Sequence, residues 1–260
     1  MITLSLENQT ARIDAGELVS FQKEGHEYIH QKGSPGWRSS DTEMFPIIGP
    51  TNETDFMVQV PKGNAIQDQH GLLREMDYEV VSKNETLVLF QKTYKAGTLV
   101  KNSKFPEKSN KQWLIWPFSF VFQKQYELKA DGLEITFVVS GERDMPFMLG
   151  YHPAFKLHTN APIIKAEEKE IPLDAVIEVG DRAYKISDCE AVVLKDEKEL
   201  EITTKGFGNF MLWSPEANMI CIEPITFYPY DVAQRDLCQG FQYLSADKEI
   251  FTVYMKPVSN

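Results

Sequence analysis

Between Phe120 and Val139 the chain carries two runs of alternating apolar and polar side chains that flank the pair Asp131-Gly132. A period of two sends successive side chains to opposite faces of a pleated strand, and Asp-Gly tolerates the positive φ angles of a tight hairpin turn. The segment therefore predicts two paired antiparallel strands. Any fold for this chain must be built around an antiparallel sheet.

The same pattern recurs along the chain. Residues 2–6, 18–21, 56–60, 78–81, 86–91, 118–128, 133–140, 200–204, 210–213, 219–222 and 250–255 read as strands by alternation or by β-branched and aromatic content. Turn signals such as Lys62-Gly63-Asn64, Lys83-Asn84-Glu85 and Lys205-Gly206-Phe207-Gly208 separate them. Helical periodicity is sustained almost nowhere, although residues 231–238 suit a short helix. With no strand-helix-strand rhythm and no fixed repeat, the chain reads as all-β, a large antiparallel β-sandwich, with residues 1–260 as a single domain. Residues 101–111 and 161–170 read as exposed, solvated stretches.

Composition narrows the function. The 260 residues, 42% of them hydrophobic, can bury a large core. A net charge of -11 opposes binding to phosphate backbones or anionic lipid, so nucleic acid and membranes are not expected partners. Three cysteines, Cys189, Cys221 and Cys238, have no CxxC spacing and suggest neither a disulfide framework nor a zinc site. No signal-like or membrane-length apolar run is present, and the expectation is a soluble cytoplasmic protein, as a monomer or homodimer.

Four segments carry chemistry. Phe45-Pro46-Ile47-Ile48-Gly49-Pro50 contains two prolines that cannot donate to a sheet ladder, so it reads as an edge strand or a strand exit. In Gln69-His70-Gly71-Leu72-Leu73-Arg74, glycine lets backbone approach a ligand beside an imidazole, and arginine adds a fork of donors. In Gly150-Tyr151-His152-Pro153, the proline biases His152 to extended backbone. Met219-Ile220-Cys221-Ile222-Glu223-Pro224 ends an apolar strand in a carboxylate. A carboxylate and imidazoles can exchange protons with a substrate without a metal, nucleotide or covalent nucleophile, so no cofactor is expected. His26 and His30 lack such a setting and read as surface residues, and His158 is a weaker candidate than His152. Trp37, Trp113, Trp116, Tyr151, Trp213, Phe227 and Tyr228 offer faces to sugar C–H groups, one or two of them in a site and the rest in the core.

The order and spacing of these four segments resemble the aldose 1-epimerase, or galactose mutarotase-like, family, closest to its bacterial branch. The resemblance implies the β-sandwich with a sugar cleft across one sheet, and a monosaccharide as ligand. It also implies Glu223 as base for the anomeric hydroxyl, His152 as acid for the ring oxygen, and His70 as a hydrogen-bonding partner near that oxygen. Arg74, Arg38, Tyr151 and Trp213 are expected to bind substrate. Pro50 stands where many relatives of this branch have arginine, and the substrate-binding aspartate of galactose mutarotases has no clear counterpart. A hexose-6-phosphate mutarotase and a non-catalytic sugar-binding protein are the alternatives. No GxSxG or HExxH element supports a hydrolase, and a retaining glycosidase would need a second carboxylate.

Overall fold

A computed structural model describes residues 1–258. The hairpin is its axis. Strands Phe120–Lys129 and Gly132–Gly141 pair in continuous antiparallel register from Lys129↔Gly132 to Phe120↔Gly141. They sit inside a nine-stranded sheet, flanked by Leu87–Tyr94 and Glu79–Lys83 on one side and by Lys248–Val258 and Glu199–Lys205 on the other. A six-stranded sheet runs in the order Tyr184–Ile186, Asn209–Trp213, Met219–Ile225, Gly150–Tyr151, Glu43–Met44, with Ala154–Lys156 also on Met219–Ile225. A four-stranded sheet is formed by residues 2–27.

The two larger sheets face each other through aromatic side chains, the layering of a β-sandwich. Phe137 meets Tyr151 at 5.1 Å between ring centroids, and Phe122 meets Phe45 at 5.3 Å. Strand alternation produces this core directly: along Phe120–Lys129 every second residue is buried.

One inward position on that strand is not apolar. Lys124 is fully buried, 2.9 Å from Asp41 and also ion-paired to Glu43 from the facing layer. Tyr126 and Tyr151 donate their hydroxyls to Asp41 at 2.7 and 2.9 Å. Burial alone would push Glu43 up, but the Lys124 ammonium outweighs it and holds the carboxyl below its ordinary value. Each buried charge is thus matched by a partner from another part of the chain.

Several segments differ from their sequence reading, among them the strands Gln9–Asp14, Tyr184–Ile186 and Ala191–Lys195, which were not foreseen. Residues 161–170 are exposed from Glu167 to Glu170, as read, but they are also regular: Ile163–Ala166 and Lys169–Pro172 pair as a hairpin at the end of the nine-stranded sheet. Their charged residues are tolerated there because an edge strand leaves side chains in water. The helix expected over residues 231–238 is a 3-10 segment, Gln234–Gly240. A short α-helix, Leu173–Val179, was not foreseen, since seven residues hold too few turns to display a period.

Replacing Lys124 by Met removes the shared cation of two buried carboxylates. The expected loss is about 3–5 kcal/mol in urea denaturation at neutral pH. An unchanged midpoint would mean that the pair is not held as charges.

Candidate active site

The sheet register brings the two central side chains together. Met219–Ile225 pairs with Gly150↔Ile225 on one side of a break and Ala154↔Cys221 on the other, which leaves His152 opposite Glu223. Directly opposed residues on an antiparallel pair share a face. The neighbouring ladder adds Met211↔Glu223 and Trp213↔Cys221, so Met211 and Trp213 stand on that face too. The break follows from Pro153, which has no N–H to offer the ladder.

His70 arrives from a separate unit. Phe45 N–H donates to His70 O at 3.1 Å, Gly49 N–H to Gln69 O at 2.6 Å, and Leu73 N–H to Phe45 O at 3.1 Å. Gly71 has φ +73°, and a Cβ there would lie 2.2 Å from Phe45 O. Only glycine fits this crossing, which locks the two loop motifs to one another. Asp68 accepts from His70 N–H at 3.0 Å and from Arg74 Nη2 at 2.5 Å, with Lys104 Nζ at 3.5 Å. Arg74 therefore has its position set by a buried carboxylate.

These residues line a cleft of about 750 Å³. His152 Nε2 lies 3.4 Å from Glu223 Oε1. Trp37 stacks on the His152 ring at 4.4 Å, and His70 and Trp213 meet it edge-on at 5.6 and 6.0 Å. Glu223 is only 2% exposed, and burial pushes its carboxyl well above the ordinary range. Burial, assisted by the Arg74 charge, drives the His152 imidazole down to about 3. His70 is likewise held well below its ordinary value, first by burial and then by the Arg74 charge, with Lys104 adding to it. Burial thus favours the uncharged form of both Glu223 and His152, a protonated carboxyl and a neutral imidazole. That state carries the same number of protons as a carboxylate beside an imidazolium.

Of the expected site residues, Glu223, His152, His70, Arg74, Arg38 and Trp213 all line the cleft. Tyr151 does not. It is fully buried, with its hydroxyl on Asp41 and its ring against Phe137, because adjacent strand residues face opposite ways and His152 takes the cleft side. His30 is not a surface residue either: it is buried, and its Nε2 donates to Trp37 O at 2.8 Å, which steadies the loop carrying Trp37. His26 is only partly exposed and packs at 4.3 Å on His158.

Sequence reasoning missed Lys104 and Lys108, which enter the cleft from the segment read as a solvated loop. Their signal was composition without periodicity, which does not say where a loop folds back. Cys221 Sγ lies near His152 and Glu223, with one possible ligand atom of each within 4.8 Å of the others. Burial and the Glu223 carboxyl push this thiol well above its ordinary value, so it is poorly disposed to bind a cation as thiolate.

The family model for aldose 1-epimerase matches residues 53–228. No curated protein matches the sequence. Among solved structures, a galactose mutarotase-like protein from Lactobacillus casei superposes with a TM-score of 0.79 at 19% identity, covering 99% of this chain and 100% of the other. A putative aldose 1-epimerase from Escherichia coli gives 0.75 at 12% identity over 99% and 98% of the two chains. An aldose epimerase homologue from C. elegans gives 0.67 at 11% identity, again over 99% and 98%. The sandwich is common to all of them.

His152 offers a direct check on the electrostatics. With a folded value of about 3 against an ordinary 6.5, the unfolded chain binds more protons between those limits. Its contribution therefore raises stability with pH across that window and is lost as pH falls through 6.5 towards 3. Ring-nitrogen NMR shifts of His152 should stay those of neutral imidazole from about pH 8 to about pH 5. An inflection near the ordinary histidine value would contradict the burial argument.

Proposed function

The chain belongs to the aldose 1-epimerase family, and from that premise we propose that it is a mutarotase interconverting the α and β anomers of a free aldohexose. The observation that carries this reading is the approach of His152 Nε2 to 3.4 Å from Glu223 Oε1 inside a sugar-sized cleft. Trp37 and Trp213 border the same space and offer flat faces to sugar C–H groups.

The reaction needs one proton removed from the C1 hydroxyl and one delivered to the ring oxygen. In the free protein the pair's proton rests on Glu223. A C1 hydroxyl donating to Glu223 favours the ionised carboxylate, while a ring oxygen facing His152 accepts from its imidazolium, so substrate moves the proton across the pair. Glu223 then takes the hydroxyl proton, His152 gives its own to the ring oxygen, and the bond from C1 to the ring oxygen breaks. Rotation about C1–C2 turns the aldehyde, and closure on its other face returns both protons. His70, held neutral, is suited to hydrogen-bond the ring oxygen rather than to carry charge.

A second reading has its own support. Arg38, Lys104, Lys108 and Arg182 border the cleft of a chain whose net charge is -11, and Arg38 has no ion-pair partner among the described residues. Such a rim suits a sugar carrying a phosphate. Polarimetry on glucose and glucose 6-phosphate separates the two. A phosphate-reading rim predicts that Lys108→Glu raises KM for the phosphorylated sugar alone, and equal KM changes for both sugars would remove that reading.

Glu223→Gln should bind sugar yet lose about 100-fold to 10,000-fold of the accelerated rate in polarimetry. An unaltered rate would sink the assignment. The wild-type rate should be flat across neutral pH. It should fall in acid as His152 gains a second proton for the pair, and in alkali as Glu223 gives up the only one. A bell centred on the ordinary values of Glu and His would contradict the shared proton.

A further inference from the structure

Away from the cleft, three chain-distant side chains converge on one point. His26 comes from the last strand of the four-stranded sheet, His158 follows Ala154–Lys156, and Glu197 lies in the turn between Ala191–Lys195 and Glu199–Lys205. One possible ligand atom of each lies within 4.8 Å of the other two, and none of the three lines the cleft. Glu197 Oε2 is 3.5 Å from His158 Nδ1 and 3.8 Å from His26 Nδ1.

We propose that His26, His158 and Glu197 form a binding site for a divalent transition-metal ion of the zinc class. The hydrogen bonding of His158 prepares it for this. Its Nε2 lies 2.9 Å from Glu27 O, and a carbonyl can only accept, so Nε2 carries the proton. Neutral His158 therefore turns the lone pair of Nδ1 towards the Glu197 carboxylate. A backbone carbonyl that fixes the tautomer of a ligating histidine is the usual outer partner of a zinc site.

The spacing fits a cation better than a direct contact. Separations of 3.5 and 3.8 Å are longer than a good N–H···O hydrogen bond. Donors about 2.0–2.1 Å from a tetrahedral zinc stand about 3.3 Å from one another, so a small closure completes three positions. Two imidazoles with one carboxylate suit zinc rather than calcium or magnesium, which take oxygen ligands. The exposed side of Glu197 leaves the fourth position to water, so the site would tie the four-stranded sheet to both larger sheets rather than act on the sugar.

The test is titration of the chelator-stripped full chain with zinc chloride by calorimetry, repeated with cobalt(II) followed by absorbance. One equivalent should bind, raising Tm with zinc concentration. Glu197→Gln and His26→Gln should each weaken binding at least tenfold, with the mutarotation rate unchanged. Circular dichroism of Glu197→Gln, altered only at an exposed tip, checks that the fold is retained. Unchanged affinity in both variants would overturn the proposal. So would a thiolate-to-cobalt charge-transfer band, which would place the metal on a cysteine rather than on His26, His158 and Glu197.

Discussion

The antiparallel register of Met219–Ile225 against the interrupted strand at 150–156 is the constraint on which the candidate site depends. Pairing Gly150 with Ile225 and Ala154 with Cys221 leaves no freedom for where His152 points: it must share a face with Glu223. A slip of one residue would turn Glu223 into the core and bring Ile222 or Pro224 to the cleft. Chemistry and fold are therefore specified by the same hydrogen bonds. The opposite face of this ladder is committed to the sandwich interior, where Tyr151 meets Asp41 and Phe137.

Burial has contrary consequences on those two faces. In the interior, Lys124 answers Asp41 and Glu43, and its ammonium holds the Glu43 carboxyl below its ordinary value against burial. On the cleft face, Glu223 and His152 lie close together with no other strong partner for either among the described residues, so burial favours their neutral forms. A substrate that supplies a hydroxyl and an ether oxygen provides what each charged form lacks. Under the proposed reaction the free protein need only hold one proton between two groups, with the bound sugar deciding which group has it.

Much of this was legible in the residues themselves. The strands of the hairpin, the strand 219–222 and the edge position of the Phe45 segment follow from alternation and from proline, both of which act locally. The resemblance of the four motifs pointed to the sandwich family and to a cluster that the structure brings into one cleft. The Tyr151 error was avoidable, since period-two geometry already forbids adjacent residues on one strand from facing the same space. Other features lay beyond local pattern. Lys124 resembles any lysine until Asp41 and Glu43 are seen beside it, and His30 resembles a surface histidine until the Trp37 loop covers it. Lys104 enters the cleft only because its loop folds back to Asp68, a contact between residues 36 positions apart that no alternation encodes.

The central claim is that Glu223 and His152 operate as one proton-sharing unit. A double-mutant cycle tests it most directly: polarimetric rates for Glu223→Gln, His152→Asn and the double variant, each with sugar binding measured alongside. A unit predicts that the double variant is about as slow as the slower single variant, because losing either partner already disables the pair. Independent contributions whose logarithms simply add, with binding retained throughout, would contradict it.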